Sequence, residues 1–196
     1  MRITGKHYRL RRFEIKNMPQ AGLWIGGTNN LVEGLFVHHN KNGGIQIFSP
    51  YENFPYGAYG SYNTIKDCTA NDNSGAGLGG AYAYGGNADG IAISSGEGNK
   101  ILNCAAYRNS DDGIDSWRST NTLISRSIAA FNGIDQGNGN GFKAGGYSPS
   151  RGTIVEHSIA YKNQAVGFDY NSGAAVRFSY NTSWSHQVGY SLGSDT

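Results

Sequence analysis

The chain has 196 residues, enough for one domain with a continuous core, and its formal net charge of +2 selects neither a nucleic acid nor a membrane as partner. Thirteen Tyr and eight Phe beside 30 Gly exclude a disordered Gly-rich linker, and two Cys exclude a disulfide framework. No apolar run reaches the roughly 18 residues that span a bilayer. The opening Met1-Arg2-Ile3-Thr4-Gly5 is not a signal peptide, because no apolar stretch follows its basic residue.

Along the chain one short unit recurs: a strand, an Asn turn, a Gly, then a second alternating strand. It is clearest from Asn99 to Asp115. Its Gly stands at 22, 44, 90, 113, 141, 167 and 189, at steps of 22, 46, 23, 28, 26 and 22 residues. The basic period is therefore 22 to 23 residues, and the long step carries inserts in Ser49–Tyr62 and Ser74–Gly86. One place after each Gly come Leu23, Ile45, Ile91, Ile114, Phe142, Phe168 and Tyr190, a column of large residues that points inward. Seven places before it come Ile15, Val37, Ala106, Ala160 and Thr182, a second inward column. Four places before it come Met18, Asn40, Asn109, Asn163 and Ser185, with Asn73 and Asn132 joining once the inserts are skipped. Buried amides stacked in this way hydrogen-bond from coil to coil. Cys68 and Cys104 share a place with Phe13, Leu35, Ser127, Ser158 and Tyr180, so they are expected to stack as buried thiols.

An amphipathic helix fails, because apolar positions alternate and Gly interrupts every stretch of helical length. A propeller needs about 40 residues per repeat. The pattern predicts an all-β, right-handed, single-stranded parallel β-helix of about seven coils, one domain over residues 1–196, in which each coil is stable only against its neighbours. No amphipathic helix caps either end, before Tyr8 or after Leu192. N-terminal coils and a cap are therefore expected to be missing, or the open coils to associate end to end.

The same register maps the surface. Two places after each Gly come Trp24, Gln46, Ala92, Asp115, Lys143, Asp169 and Ser191, a column that faces solvent. One place before the Gly come Asp89 and Asp112 on adjacent coils, then Asn140, and Asp111 precedes Asp112. Asp89, Asp111, Asp112 and Asp115 are thus predicted to converge beside Lys143. An Asp before Gly is also a common turn residue. Four carboxylates this close repel unless a cation compensates them, and an all-oxygen, flexible set of about six to eight ligands suits Ca²⁺ better than Mg²⁺. A dication would also lower the pKa of Lys143, and a Lys so lowered can act as a general base.

The strings Asn87-Ala88-Asp89-Gly90, Asn109-Ser110-Asp111-Asp112-Gly113-Ile114-Asp115 and Gly139-Asn140-Gly141-Phe142-Lys143 resemble polysaccharide lyase family 9, the pectate and exopolygalacturonate lyases. The resemblance runs from about Asn63 to Asn171. It implies that Asp89, Asp111, Asp112 and Asp115 bind one Ca²⁺ and that Lys143 is the catalytic base of β-elimination on polygalacturonate (pectate). It also implies secretion, so a leader is expected outside this chain. The chain departs from the family by being short, with about three coils missing before the first Asp. Arg118, Arg151 and Arg177 are candidates to hold sugar carboxylates, Asp169 and Asn140 to contact the polymer, and Trp117 and Tyr170 to stack on sugar rings. Two other readings stand beside the lyase. A polygalacturonase-like β-helix hydrolase uses Asp pairs, but its Gly-His-Gly and Arg-Ile-Lys strings do not occur here. A non-catalytic β-helix adhesin or carbohydrate-binding domain would use Ca²⁺ only for stability.

Overall fold

The computed structural model describes residues 1–48, 59–77, 85–146 and 150–193. Among these every regular element is a short strand, and all strand pairs are parallel. Each coil gives one strand to each of three sheets. The first sheet stacks Arg2–Ile3, Leu23–Ile25, Ile45–Ile47, Ile91–Ile93, Ile114–Ser116, Phe142–Ala144, Val166–Asp169 and Val188–Ser191. The second runs from Arg9–Arg11 to Arg177–Ser179, and the third from Glu14–Lys16 to Thr182–Trp184, each with seven strands. Neighbours within a sheet come from successive coils, which makes a parallel β-helix.

The predicted register holds along the first sheet: Leu23, Ile45, Ile91, Ile114, Phe142, Phe168 and Tyr190 are partners in sequence. All but Tyr190 are fully buried, and the rings of Phe142 and Phe168 lie parallel at 4.8 Å. The 46-residue step is one coil, since Ile45 pairs directly with Ile91. Its inserts fall on either side of the first sheet, with residues 49–58 and 78–84 outside the described set. Tyr190 continues the aromatic stack at 5.0 Å from Phe168 and is 40% exposed on the last coil.

The last coil slips by one residue. Ala160 pairs with Ser183, so Ser183 takes the inward column and Thr182 is exposed. Asn163 N–H donates to His186 Nδ1, not to Ser185, and Ser158 N–H donates to Asn181 Oδ1, not to Tyr180. The turn from Ser183 to Gly189 is one residue shorter than its counterparts, which counting back from the Gly cannot reveal.

The recurring Gly is required by packing. Gly22, Gly44, Gly90, Gly113, Gly141 and Gly167 have ordinary φ, but a Cβ at Gly90 would come 2.7 Å from Ala106 Cβ and 2.8 Å from Gly113 O. The left-handed turns are made mostly by other residues. Arg12, Gly34, Asp67, Asn103, Arg126, His157 and Tyr180 form one column between the second and third sheets, all with φ between 51° and 67°. One left-handed residue bends the chain sharply from one sheet to the next, and the strain is tolerated because the ladders on both sides fix the geometry.

The Asn column closes the core between the third and first sheets. Asn40 donates through Nδ2 to Asn73 Oδ1 at 2.9 Å, Asn73 to Asn109 at 2.9 Å, Asn109 to Asn132 at 3.0 Å and Asn132 to Asn163 at 2.8 Å. A second ladder, not anticipated, runs Asn30–Asn63–Asn99 ahead of the second sheet. Cys68 and Cys104 are buried free thiols on neighbouring coils. Replacing Asn109 removes the acceptor of Asn73 Nδ2, one of the two donors to Asn132 Oδ1 and the amide on the Ala70 carbonyl at once. Asn109→Ala is therefore expected to lower stability by about 3 kcal/mol in denaturant titration. An unchanged midpoint would mean that the ladder does not hold the coils.

Candidate active site

The outward face of the first sheet gathers the candidate site residues. Ala92, Asp115, Lys143 and Asp169 are register partners on four successive coils. Asp89 and Asp112 precede the close-packed Gly90 and Gly113, so each carboxylate enters this face from the start of its strand. Asp112 N–H donates to Asp89 Oδ1 at 3.1 Å, and Asp112 Oδ1 accepts Asn140 N–H at 2.8 Å. Oxygens of Asp89, Asp112 and Asp115 lie within 4.8 Å of one another, and all three residues are buried. Lys143 Nζ stands 3.0 Å from Asp112 Oδ2 and 3.8 Å from Asp115 Oδ2. Asp115 Oδ1 is buried and without a hydrogen-bond partner among the described residues.

Asp111 is placed differently. Its Oδ2 accepts Asn87 N–H at 2.7 Å and its Oδ1 accepts Asn138 N–H, so this carboxylate fastens two loops beside the triad. Its charge still reaches Asp89. Burial, then the charges of Asp111, Asp115 and Asp112, push the Asp89 pKa well above the usual carboxylate range. Burial likewise pushes Asp115 well up and Asp112 up to about 6, against the opposing pull of Lys143. Burial alone would favour neutral Lys143, but Asp112, Asp115 and Asp89 together outweigh it and raise its pKa. Among the described residues, three buried carboxylates thus face one ammonium, that of Lys143. The donor set is all oxygen, the charge is in deficit and one buried oxygen is unpartnered, and all three features fit a hard dication such as Ca²⁺.

The cluster forms one end of a cleft of about 240 Å³ lined by Trp24, Gln46, Phe48, Asn87, Asp89, Ser94, Asp115, Trp117 and Lys143. Trp117 fits because Gly146 lies against its ring, where a Cβ would overlap the indole. Arg118 stacks its guanidinium 4.6 Å from the Trp117 ring centroid. Asp169 follows Lys143 in the column, and its Oδ1 accepts Asn171 N–H at 3.3 Å. Asn140 is buried, with its side-chain oxygen accepting Val166 N–H at 3.2 Å, so it shapes the site from behind. Arg151 and Arg177 are exposed but not in the cleft: Arg151 bridges Thr120 and Ala174 between sheets, and Arg177 opens a strand of the second sheet. Tyr170 packs its ring on Gly193. Phe48 and Ser94 were not singled out from sequence, although both stand four places after a repeat Gly, as Trp117 does.

A family model described as "Pel9A-like, right handed beta helix region" matches residues 1–195. Pectate lyase L of Dickeya chrysanthemi is 32% identical over 202 residues, covering 98% of this chain and 45% of that protein. Among solved structures, that of pectate lyase Pel9A superposes with a TM-score of 0.76 at 31% identity, covering 92% of this chain and 46% of the other. A rhamnogalacturonan lyase superposes with a TM-score of 0.65 at 28% identity, covering 91% and 44%. The chain therefore spans a little under half the length of these three relatives.

The raised carboxylate pKa values make stability depend on pH. The folded values lie above the unfolded value of roughly 3.9, so ionising the carboxylates costs stability as pH rises from about 4 through the folded values. Lys143 stays protonated over that range and does not offset the slope. In chelator the thermal midpoint is expected to fall as pH rises from about 4 to 7. Ca²⁺ at a hundredfold excess over Kd should restore about 2.7 kcal/mol at pH ~7 and much less at pH ~4. Equal effects at both pH values would count against a cation held by this triad.

Proposed function

The chain belongs to the Pel9A-like right-handed β-helix family, and from that membership we propose that it is a calcium-dependent lyase that cleaves α-1,4-galacturonan, the pectate polymer, by β-elimination. One observation carries the reading: Asp89, Asp112 and Asp115 converge on Lys143 at the end of an aromatic-lined cleft. A hydrolytic pair needs an acid and a base flanking the scissile bond, whereas here Asp89, Asp112 and Asp115 crowd one point beside an amine.

The elimination transfers the C5 proton of a galacturonate to the base, breaks the C4–O bond and forms the C4=C5 double bond of a 4,5-unsaturated sugar, while the glycosidic oxygen departs with the neighbouring sugar and takes a proton from water. Asp89, Asp112 and Asp115 would hold a Ca²⁺ ion, which when bound would neutralise their charge and polarise the substrate carboxylate that acidifies C5–H. Lys143 Nζ is the base. Burial already favours its neutral form, and only the carboxylates beside it hold the proton on. Once their charge is compensated, the amine can deprotonate and accept the C5 proton. Asn140 positions Asp112 through its backbone N–H, and Asn87 and Asn138 fasten Asp111. Arg118, held on Trp117, is the cation best placed to meet a sugar carboxylate. Such a polymer lies outside the cell, which is where the working enzyme belongs.

The test is absorbance of the unsaturated uronate during incubation with polygalacturonate, and with rhamnogalacturonan as comparison. Turnover should require Ca²⁺, stop in chelator and rise with pH above neutrality as Lys143 deprotonates. Lys143→Ala should lower kcat by about a hundredfold to ten-thousandfold while keeping the fold and calcium-dependent stability. An acidic optimum would remove Lys143 as base. A folded, calcium-binding protein with no turnover would instead support the binding-domain reading.

A further inference from the structure

We infer that Trp24 is a substrate-positioning residue that reads polymer length, a stacking platform for a sugar several units from the bond that breaks. The inference rests on the lyase reading above.

Trp24 belongs to the catalytic column. Its register partners run Trp24, Gln46, Ala92, Asp115, Lys143, so four strand steps separate it from the base. At ~4.8 Å per step the indole lies roughly 19 Å from Lys143 along the axis. A 1,4-linked pyranose advances by about one such step, which places the ring about four sugars away. The two ends share one continuous cleft, since Trp24 and Lys143 both line it. Gln46, Asp89 and Asp115 line the cleft between the two ends. Phe48 abuts the indole at 5.5 Å and 55° and holds its orientation.

The indole presents an amphipathic surface, apolar on its face and polar at one edge, which matches a pyranose. Arg2 is the next partner in the column and lines the adjoining pocket with Trp24, so a uronate carboxylate beyond the ring meets a cation.

The experiment compares wild type, Trp24→Ala and Trp24→Phe on trigalacturonate and hexagalacturonate. It adds calorimetric binding of hexagalacturonate to the same three proteins carrying Lys143→Ala. Trp24→Ala should raise KM for the hexamer about tenfold, leave kcat within about twofold and leave the trimer constants unchanged. Hexamer binding should weaken by the same factor, and Trp24→Phe should recover most of it. Equal losses on trimer and hexamer, or no loss on the hexamer, overturn the inference. If no protein turns over either substrate, the lyase reading fails and calorimetry alone decides Trp24: weaker hexamer binding by Trp24→Ala sustains the inference, and equal or absent binding overturns it. If Trp24→Ala does not fold, Trp24→Phe against Trp24→Leu on the hexamer takes its place, with loss in Leu alone expected and equal values overturning the inference.

Discussion

Successive coils stack in register one strand spacing apart, and both the stability and the chemistry depend on that spacing. It can be this short where Gly22, Gly44, Gly90, Gly113, Gly141 and Gly167 lie because a Cβ there would strike the neighbouring coil. Each residue type is then copied along the axis with its neighbours at contact distance. Apolar columns gain by this: Leu23, Ile45, Ile91 and Ile114 form an unbroken buried row. Amide columns gain too, since an Asn side chain can donate to the next coil and accept from the previous one. No coil is stable by itself, so each column is a joint property of many coils.

The same geometry penalises charge. Asp89 and Asp112 occupy equivalent places on adjacent coils, and Asp115 is added from the next outward position. Stacking that is favourable for Ile forces these carboxylates together, and burial then denies them water. Burial is the largest influence on each of the three, and Lys143 is the main term opposing it at Asp112 and Asp115. A site with this imbalance costs stability when empty of cations, which is the usual mark of a binding site rather than a structural ion pair. The cost is tolerated because the flanking columns are apolar or amide and hold the backbone regardless of the site's ionisation.

How much was legible in the sequence follows from which features repeat. The inward row after each Gly, the Asn ladder and the outward column through Asp115, Lys143 and Asp169 were readable because each recurs at fixed distance from a marker. The slip in the last coil was not, because it shortens the turn between Ser183 and Gly189 without moving the marker. The second Asn ladder had a signal, an Asn just ahead of Leu31, Thr64 and Lys100, but no Gly to anchor it. Asp111 illustrates a different limit. Chain position puts it beside the triad, yet the loops bearing Asn87 and Asn138 determine where its oxygens point. Loop geometry has no period, so no column predicts it.

Sequence position also overstated the arginines and understated the aromatics. Arg151 and Arg177 sit near the cluster in the chain but leave the first sheet before they can face it. Trp24 lies more than a hundred residues from Lys143 in sequence and yet shares its cleft. In a solenoid, distance along the surface is counted in coils, and a place in the column matters more than a place in the chain. The cleft that results runs along the axis with aromatic rings spread over its length and with strong charge confined to one end, the one place where stacking brought like charges together.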